Sequence, residues 1–370
     1  MNRANTGGER MTNPHGYLML FPHYLREGVT VEPRIFSLPP AGGPPAAAAM
    51  KGRDEIGRPW LGITYDAPFS WLRLSKRIDQ QSMERFHISR FAVDHRLATR
   101  TELFELIEPG DEPPDFYATT AGKRVGWELT QFVVGKRRAA QSLFFEVTNR
   151  LVAQHRHRIG HLSGYQVVMW FGTADDPTGL PFTPNNQSAY DAVVDALIKH
   201  VPDPQQFAMP VDQAPPQQLS ANPFVRSPGD VTFYTVPLLG GAPASGLFAM
   251  TGIAVGLAFQ SDHTAPDEWA NLRQQIRRKD KANDRLLITV GAPDQMGRCF
   301  ASEELLAHFL LDYPEAISAT HLTSVVMHFW STGQAVELLG EAPSMLWPPL
   351  YQGFFAGSHP FAPQRFDPSR

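Results

Sequence analysis

Cysteine is almost missing from this chain of 370 residues, where Cys299 stands alone. One thiol excludes an internal disulfide framework and any zinc or iron–sulfur site built from several cysteines. Long apolar runs are lacking too. The uncharged segment Val231–Ser261 is cut by Pro237, Gly240-Gly241 and Pro243 into two strand-length pieces, Val231–Leu239 and Leu247–Phe259. The apolar stretch Tyr17–Phe21 ends at Pro22 and His23, short of a signal-peptide core. A cytoplasmic protein with no membrane span is therefore expected. Excess charge is lacking as well: 33 Lys and Arg against 37 Asp and Glu give −4. That balance speaks against coating nucleic acid through bulk charge and leaves local patches open. Gly-rich phosphate loops, nucleophile elbows and His-Glu-x-x-His strings do not occur in the sequence.

Apolar material is plentiful, at 42% of residues with 24 Phe and 7 Trp, which is enough for a sizeable core. Gly and Pro together number 62, so long loops and tails are expected around it. Residues 1–75 read as an irregular extension whose Pro/Gly/Ala-rich stretch from Leu38 is low in complexity, while Trp60, Tyr65, Phe69 and Trp71 dock part of it on the body. Residues 76–175 form the core in the order helix, three strands, helix, strand. A helix starts at Ser82, followed by strands over Leu103–Ile107, Asp115–Thr119 and Arg124–Thr130. Ala140, Leu143, Phe144, Val147 and Leu151 then make one apolar helical stripe, and Tyr165–Phe171 is a buried strand. The last strand–helix–strand step needs a crossover and so favours a parallel pair at the sheet centre. Residues 176–230 carry a helix over Ser188–His200 and a Pro/Gln-rich loop. Residues 231–340 are a C-terminal α/β half continuous with the core, closing in a hairpin of Ser324–Trp330 and Ala335–Leu339. Residues 341–370 are a Pro/Phe-rich tail over the surface. The expected class is α/β with a mixed sheet.

Chemistry concentrates in Pro114-Asp115-Phe116 and Gly126-Trp127-Glu128-Leu129-Thr130. An acid opening one strand and another near the end of its hairpin partner converge at one sheet edge. With the Leu129 carbonyl they offer an all-oxygen site suited to Mg2+ or Mn2+. A metal there can activate water and neutralise charge on a phosphodiester. Glu84, on the preceding helix, is the best-placed third carboxylate. Taken singly, a Pro-Asp before a strand is ordinary turn chemistry and a strand Glu is ordinarily solvated. The argument lies in their order.

This pattern resembles the PD-(D/E)xK nuclease superfamily, the restriction-endonuclease-like fold, and within it a divergent bacterial branch with a PDF…G-x-E-x-T hairpin. The helix and strand around Trp269–Val290, with Lys279, Lys281 and Leu286-Leu287-Ile288, resemble a later part of that branch. The resemblance implies that Asp115 and Glu128 bind the metal, that the substrate is nucleic acid, with DNA the expected form, and that two copies can pair as a homodimer to cut both strands. It departs at Thr130, where the family carries lysine; a hydroxyl cannot supply that positive charge. Lys136 at the entrance of the next helix is the expected stand-in, and Gln131 can orient a water. Without a substitute, the fold binds nucleic acid without cutting it.

Local charge supports a phosphate-facing surface. Between Lys123 and Arg158, eight basic residues face only Glu128 and Glu146, a local +6, and Arg273–Arg285 carries +4. Lys123, Arg124, Arg137 and Arg138 are the expected nucleic-acid contacts, positioning a backbone without reading its sequence. Lys279 and Lys281 read as a solvated helix face. His155 and His157 sit about 200° apart on a helix and cannot share one metal from that helix alone.

Overall fold

Which strand completes the sheet decides where the site lies. The fold is that of a computed structural model describing residues 36–38, 47–54, 56–64, 69–70, 76–110, 113–133, 135–171, 183, 185–202, 225–226, 231–237, 256–281 and 284–351. Four short strands come first: β1 (Phe36–Leu38), β2 (Ala47–Arg53), β3 (Pro59–Thr64) and β4 (Phe69–Ser70). Helix α1 (Gln80–Thr99) leads to β5 (Leu106–Pro109), β6 (Phe116–Thr120) and β7 (Lys123–Gln131). Then follow α2 (Gly135–His155), β8 (Tyr165–Trp170), α3 (Gln187–Lys199), β9 (Val225–Arg226), β10 (Thr232–Pro237) and β11 (Gly256–Thr264). The chain continues through α4 (Ala265–Lys279), β12 (Arg285–Val290), β13 (Arg298–Cys299), α5 (Ala301–Asp312), β14 (Ser324–Phe329), β15 (Ala335–Glu337) and β16 (Ser344–Trp347).

The described residues divide into two compact units, one drawn from within 143–259 and the other from 36–142 and 260–351; the division falls inside α2 and inside β11. In the first, β8 pairs antiparallel with β10, and β10 with β9. Leu143, Phe144, Val147 and Leu151 of α2 and Val193, Val194 and Leu197 of α3 are buried. No described helix is long and apolar enough to cross a membrane.

The second unit holds a mixed seven-stranded sheet in the order β16-β15-β14-β12-β7-β6-β5. Only β12 makes parallel pairs, with β14 on one side and β7 on the other. Leu286, Ile288 and Val290 pack with α4 and α5, whereas Leu287 packs with Ile88 and Phe91 of α1. Helices thus cover both faces of the sheet, as a buried parallel pair requires. The strand beside β7 is therefore Arg285–Val290 and not Tyr165–Phe171, and the helix preceding it is α4. Two strand–helix–strand steps in the chain satisfy the crossover rule equally well. Periodicity along the chain does not choose between them; burial on both faces does.

Other expectations shift for identifiable reasons. Helix α1 begins at Gln80, two residues before the expected Ser82, because Asp79 caps it: the Asp79 carboxylate accepts the Ser82 N–H at 2.8 Å. Its acidity is raised chiefly by that backbone bond. Part of the Ala-rich extension is a strand, since β2 pairs antiparallel with β3, whose Trp60, Leu61 and Ile63 are buried. A backbone ladder needs no alternating pattern, so alanines hid it. Ser344–Trp347, expected in a surface tail, adds the edge strand β16 and buries Trp347 against Phe91. The expected features at Tyr65, Trp71 and 352–370, and most of the 203–230 loop, lie outside the described residues.

Candidate active site

Strands β6 and β7 are joined at Ala121-Gly122, both with positive φ (49° and 72°), the tight connection that suits a right-twisted hairpin. At the far end of that hairpin, β6 starts just after Asp115. Its carboxylate Oδ2 accepts the Leu129 N–H at 2.7 Å, so a side chain continues the pairing where the backbone of β6 begins. The motif glycine has a packing role: a Cβ on Gly126 would lie 3.1 Å from Cγ of Pro114. Gly126 thus lets the residue before Asp115 sit against β7.

Glu128 lies between Trp127 and Leu129, which pack toward α1. Strand alternation turns it to the opposite face, where α4 packs. There its buried carboxylate meets the ammonium of Lys279, the last residue of α4. The end of α4 is fixed by Asp280, whose carboxylate accepts the N–H groups of Thr320, His321 and Leu322 at 2.6–3.1 Å. Burial works against the charge of Lys279. The hydrogen bond and charge of Glu128, joined by the charges of Asp115 and Glu84, outweigh it and hold Lys279 above the ordinary lysine pKa. Glu84, in turn, accepts a hydrogen bond from Gln80 at 2.8 Å. The three predicted acids therefore act on one cation.

Glu84 and Lys279, but not Asp115 or Glu128 themselves, line a cleft of about 940 Å³, together with Thr130, Gln131 and the arginines 77, 138, 278 and 298. One wall is the turn after β12. His87 Nε2 and Gln131 Nε2 both reach the Pro293 carbonyl at 3.0 Å, and Arg77 Nε donates to Gln295 Oε1 at 2.5 Å. Burial pushes His87 down to about 4, so it is neutral at pH 7 and serves as a fixed donor. Asp294 binds the N–H groups of Met296 and Arg298 and the Arg298 guanidinium, presenting Arg298 at the rim.

The chain matches no family model, no curated protein and no solved structure.

The expected nucleic-acid contacts are dispersed. Arg137 is buried and donates to Ser261 Oγ at 3.1 Å, so it cannot meet a ligand from solvent. Arg138 makes two bonds to the buried Glu303, at 2.7 and 2.9 Å. Lys123 and Arg124 lie at the turn end of β7, where Arg124 pairs with Glu108 and stacks 3.4 Å over Tyr117. Of the residues in the +6 stretch, Arg137 and Arg138 thus turn to partners inside the fold. The side chain of Lys136 lies outside the described residues. Gln131 is tied to Pro293, which orients it on the cleft wall. Lys279 is the residue misread as solvated. Its signal was phase: Trp269, Leu272, Ile276 and Lys279 fall at i, i+3, i+7 and i+10, placing the lysine on the buried stripe.

The donor set suits a hard divalent ion. Among the described residues, no three His, Cys, Asp or Glu side chains stand together as a ready ligand cage. Two carboxylates with water completing the shell is the manner in which Mg2+ is ordinarily held, whereas Ca2+ needs more protein oxygens. Phe116 pairs with Trp127, so Asp115 and Glu128 are the next opposed positions of the hairpin and would supply two such carboxylates.

Proposed function

We propose that the chain is a divalent-metal-dependent nuclease of the PD-(D/E)xK type, cutting phosphodiester bonds of nucleic acid, with DNA the expected form, in the cytoplasm. The observation that carries this reading is the ion pair of Glu128 with Lys279, whose ammonium also feels the charges of Asp115 and Glu84, beside an arginine-lined cleft. In this reading α1, β5, β6, β7, α4 and β12 are the family's helix–three strands–helix–strand core, interrupted between β7 and α4.

Asp115 and Glu128 would hold Mg2+ or Mn2+, which when bound lowers the pKa of water and screens phosphate charge. Glu84 accepts a hydrogen bond from water near the site. Lys279 takes the part that Thr130 cannot, placing positive charge where the pentavalent phosphorus gathers negative charge. Water oxygen bonds to phosphorus as the bond to the leaving sugar oxygen breaks; the water gives up a proton to solvent and the sugar oxygen takes one from it, leaving one phosphate end and one hydroxyl end. Arg278 and Arg298 position the flanking phosphates.

Cleavage of plasmid and single-stranded DNA with Mg2+ or Mn2+ tests this in wild type and in Asp115→Ala, Glu128→Ala and Lys279→Met. Each variant is expected to lose at least about 100-fold in rate, the scale of one lost electrostatic contact to the transition state. A wild type without activity, or four equal rates, overturns the reading. Thr130 favours a second reading, a fold that binds nucleic acid without cutting it. Binding by a wild type that cuts neither substrate decides for that one.

A further inference from the structure

The buried carboxylate of Glu128 already holds a cation. Its Oε1 is bonded to Nζ of Lys279, whose side chain is about one-third exposed. Asp115 and Glu84 add their charge to the same ammonium. One ammonium is the cation that these three carboxylates share, and a divalent ion would bring twice its charge to them. Both cations, however, would claim the same oxygen. Held against one carboxylate they would repel each other strongly, since the partly buried site screens little.

The backbone below the lysine is not free to yield. Asp280 is pinned by three N–H groups from the 320–322 loop, and Trp269, Leu272 and Ile276 anchor α4 in the core. Lys279 carries its ammonium on a flexible four-carbon stem, and the cleft it borders gives the ammonium somewhere to go.

We propose, resting on the nuclease reading above, that Lys279 is an internal counter-cation of the Asp115–Glu128 site. It occupies the cation position until a divalent ion displaces it, and the displaced ammonium moves into the cleft, where a substrate phosphate becomes its partner. Metal and nucleic acid then support each other's binding. Phosphate stabilises the displaced lysine, so nucleic acid raises metal affinity, and by linkage metal raises nucleic-acid affinity by the same factor.

Calorimetric titration of the full chain with Mn2+ tests this in wild type, Lys279→Met and Lys279→Arg, with Glu128→Gln locating the site. Acylation of Lys279, read by peptide mass with and without saturating Mn2+, follows the side chain in the unaltered protein. Lys279→Met is expected to bind Mn2+ about tenfold tighter or more, the scale of one close like-charge contact removed. Lys279→Arg should keep the weak binding of wild type, and Mn2+ should speed acylation of Lys279. Equal affinity in wild type and Lys279→Met, or acylation unchanged by Mn2+, overturns the displacement while leaving the metal site standing. Mn2+ binding that Glu128→Gln does not weaken, or binding by none of the proteins, overturns the nuclease reading and this proposal together.

Discussion

Arg138 separates a structural cation from a functional one. It lines the cleft, yet its guanidinium makes two bonds to Glu303, whose side chain is 4% exposed. Arg138 also lies 4.4 Å over the Phe300 ring. Removing one partner of a buried ion pair strands the other charge, which costs about 3–5 kcal/mol. Arg138→Ala is therefore expected to lose roughly that much stability in a urea melt, less a share because the arginine is partly exposed. A variant with wild-type stability and weakened DNA binding would return Arg138 to the role first expected of it. Arg298 is the contrast. It too makes two bonds to a carboxylate, that of Asp294, but its side chain is half exposed, so a ligand can reach the guanidinium.

At the scale of one element, two of the buried titratable groups of α5, Glu304 and His308, have opposite pH behaviour. Burial pushes Glu304 up to about 7, although the N–H and hydroxyl of Ser331 both bond its carboxylate. Burial pushes His308, one turn on and stacked on Phe329, down to about 4. Glu304 keeps its proton in the fold and loses it when unfolded, so it lowers stability as pH rises from about 4.5 to about 7. His308, like His87, takes a proton only when unfolded, so each lowers stability as pH falls from 6.5 to about 4. Glu304→Gln removes the first effect and keeps acceptor and donor groups for Ser331. Its gain over wild type is expected to be near zero at pH 4.5 and on the order of 3 kcal/mol above pH 7. Melting curves across that range check it; a constant offset would mean that Glu304 is not the titrating group.

Elements of this kind show what a sequence discloses. Helix α4 and strands β6, β7 and β14 were legible because turn residues bound them and their apolar positions recur at 3.6 or 2. The placement of Asp115 across from Glu128 was legible because a hairpin brings residues apart in sequence together in space. Lys279 was misread since a charged residue on a buried stripe looks, in one dimension, like the start of a wet face. Its partner Glu128 lies 151 positions away, and no local pattern links them. The partners of Arg137 and Arg138 were hidden for the same reason: these arginines find Ser261 and Glu303 only after the chain has folded.

For the whole molecule, the unit that carries the site rests on the placement of β12 between β7 and β14. Both of its ladders are parallel and both faces are covered, and Leu286, Leu287, Ile288 and Val290 have no exposed surface. The sheet edges differ: Leu106 of β5 and Met345 of β16 are more than half exposed. An amide in a doubly paired, fully buried strand opens only when the unit unfolds, whereas an edge frays locally. Hydrogen exchange is therefore expected to be slowest in 286–290 and 325–329, and faster by orders of magnitude in 106–109 and 344–346. Leu287→Ala, which empties a site between β12 and α1, should cost about 2–5 kcal/mol. Because β7 and β14 share that centre, protection in 125–131 and 325–329 should fall together with it, and Asp115 and Glu128 should lose their fixed spacing as β7 loosens. Exchange in 286–290 as fast as at the edges, or a loss of protection confined to β12, would show that β12 is not the strand on which the site depends.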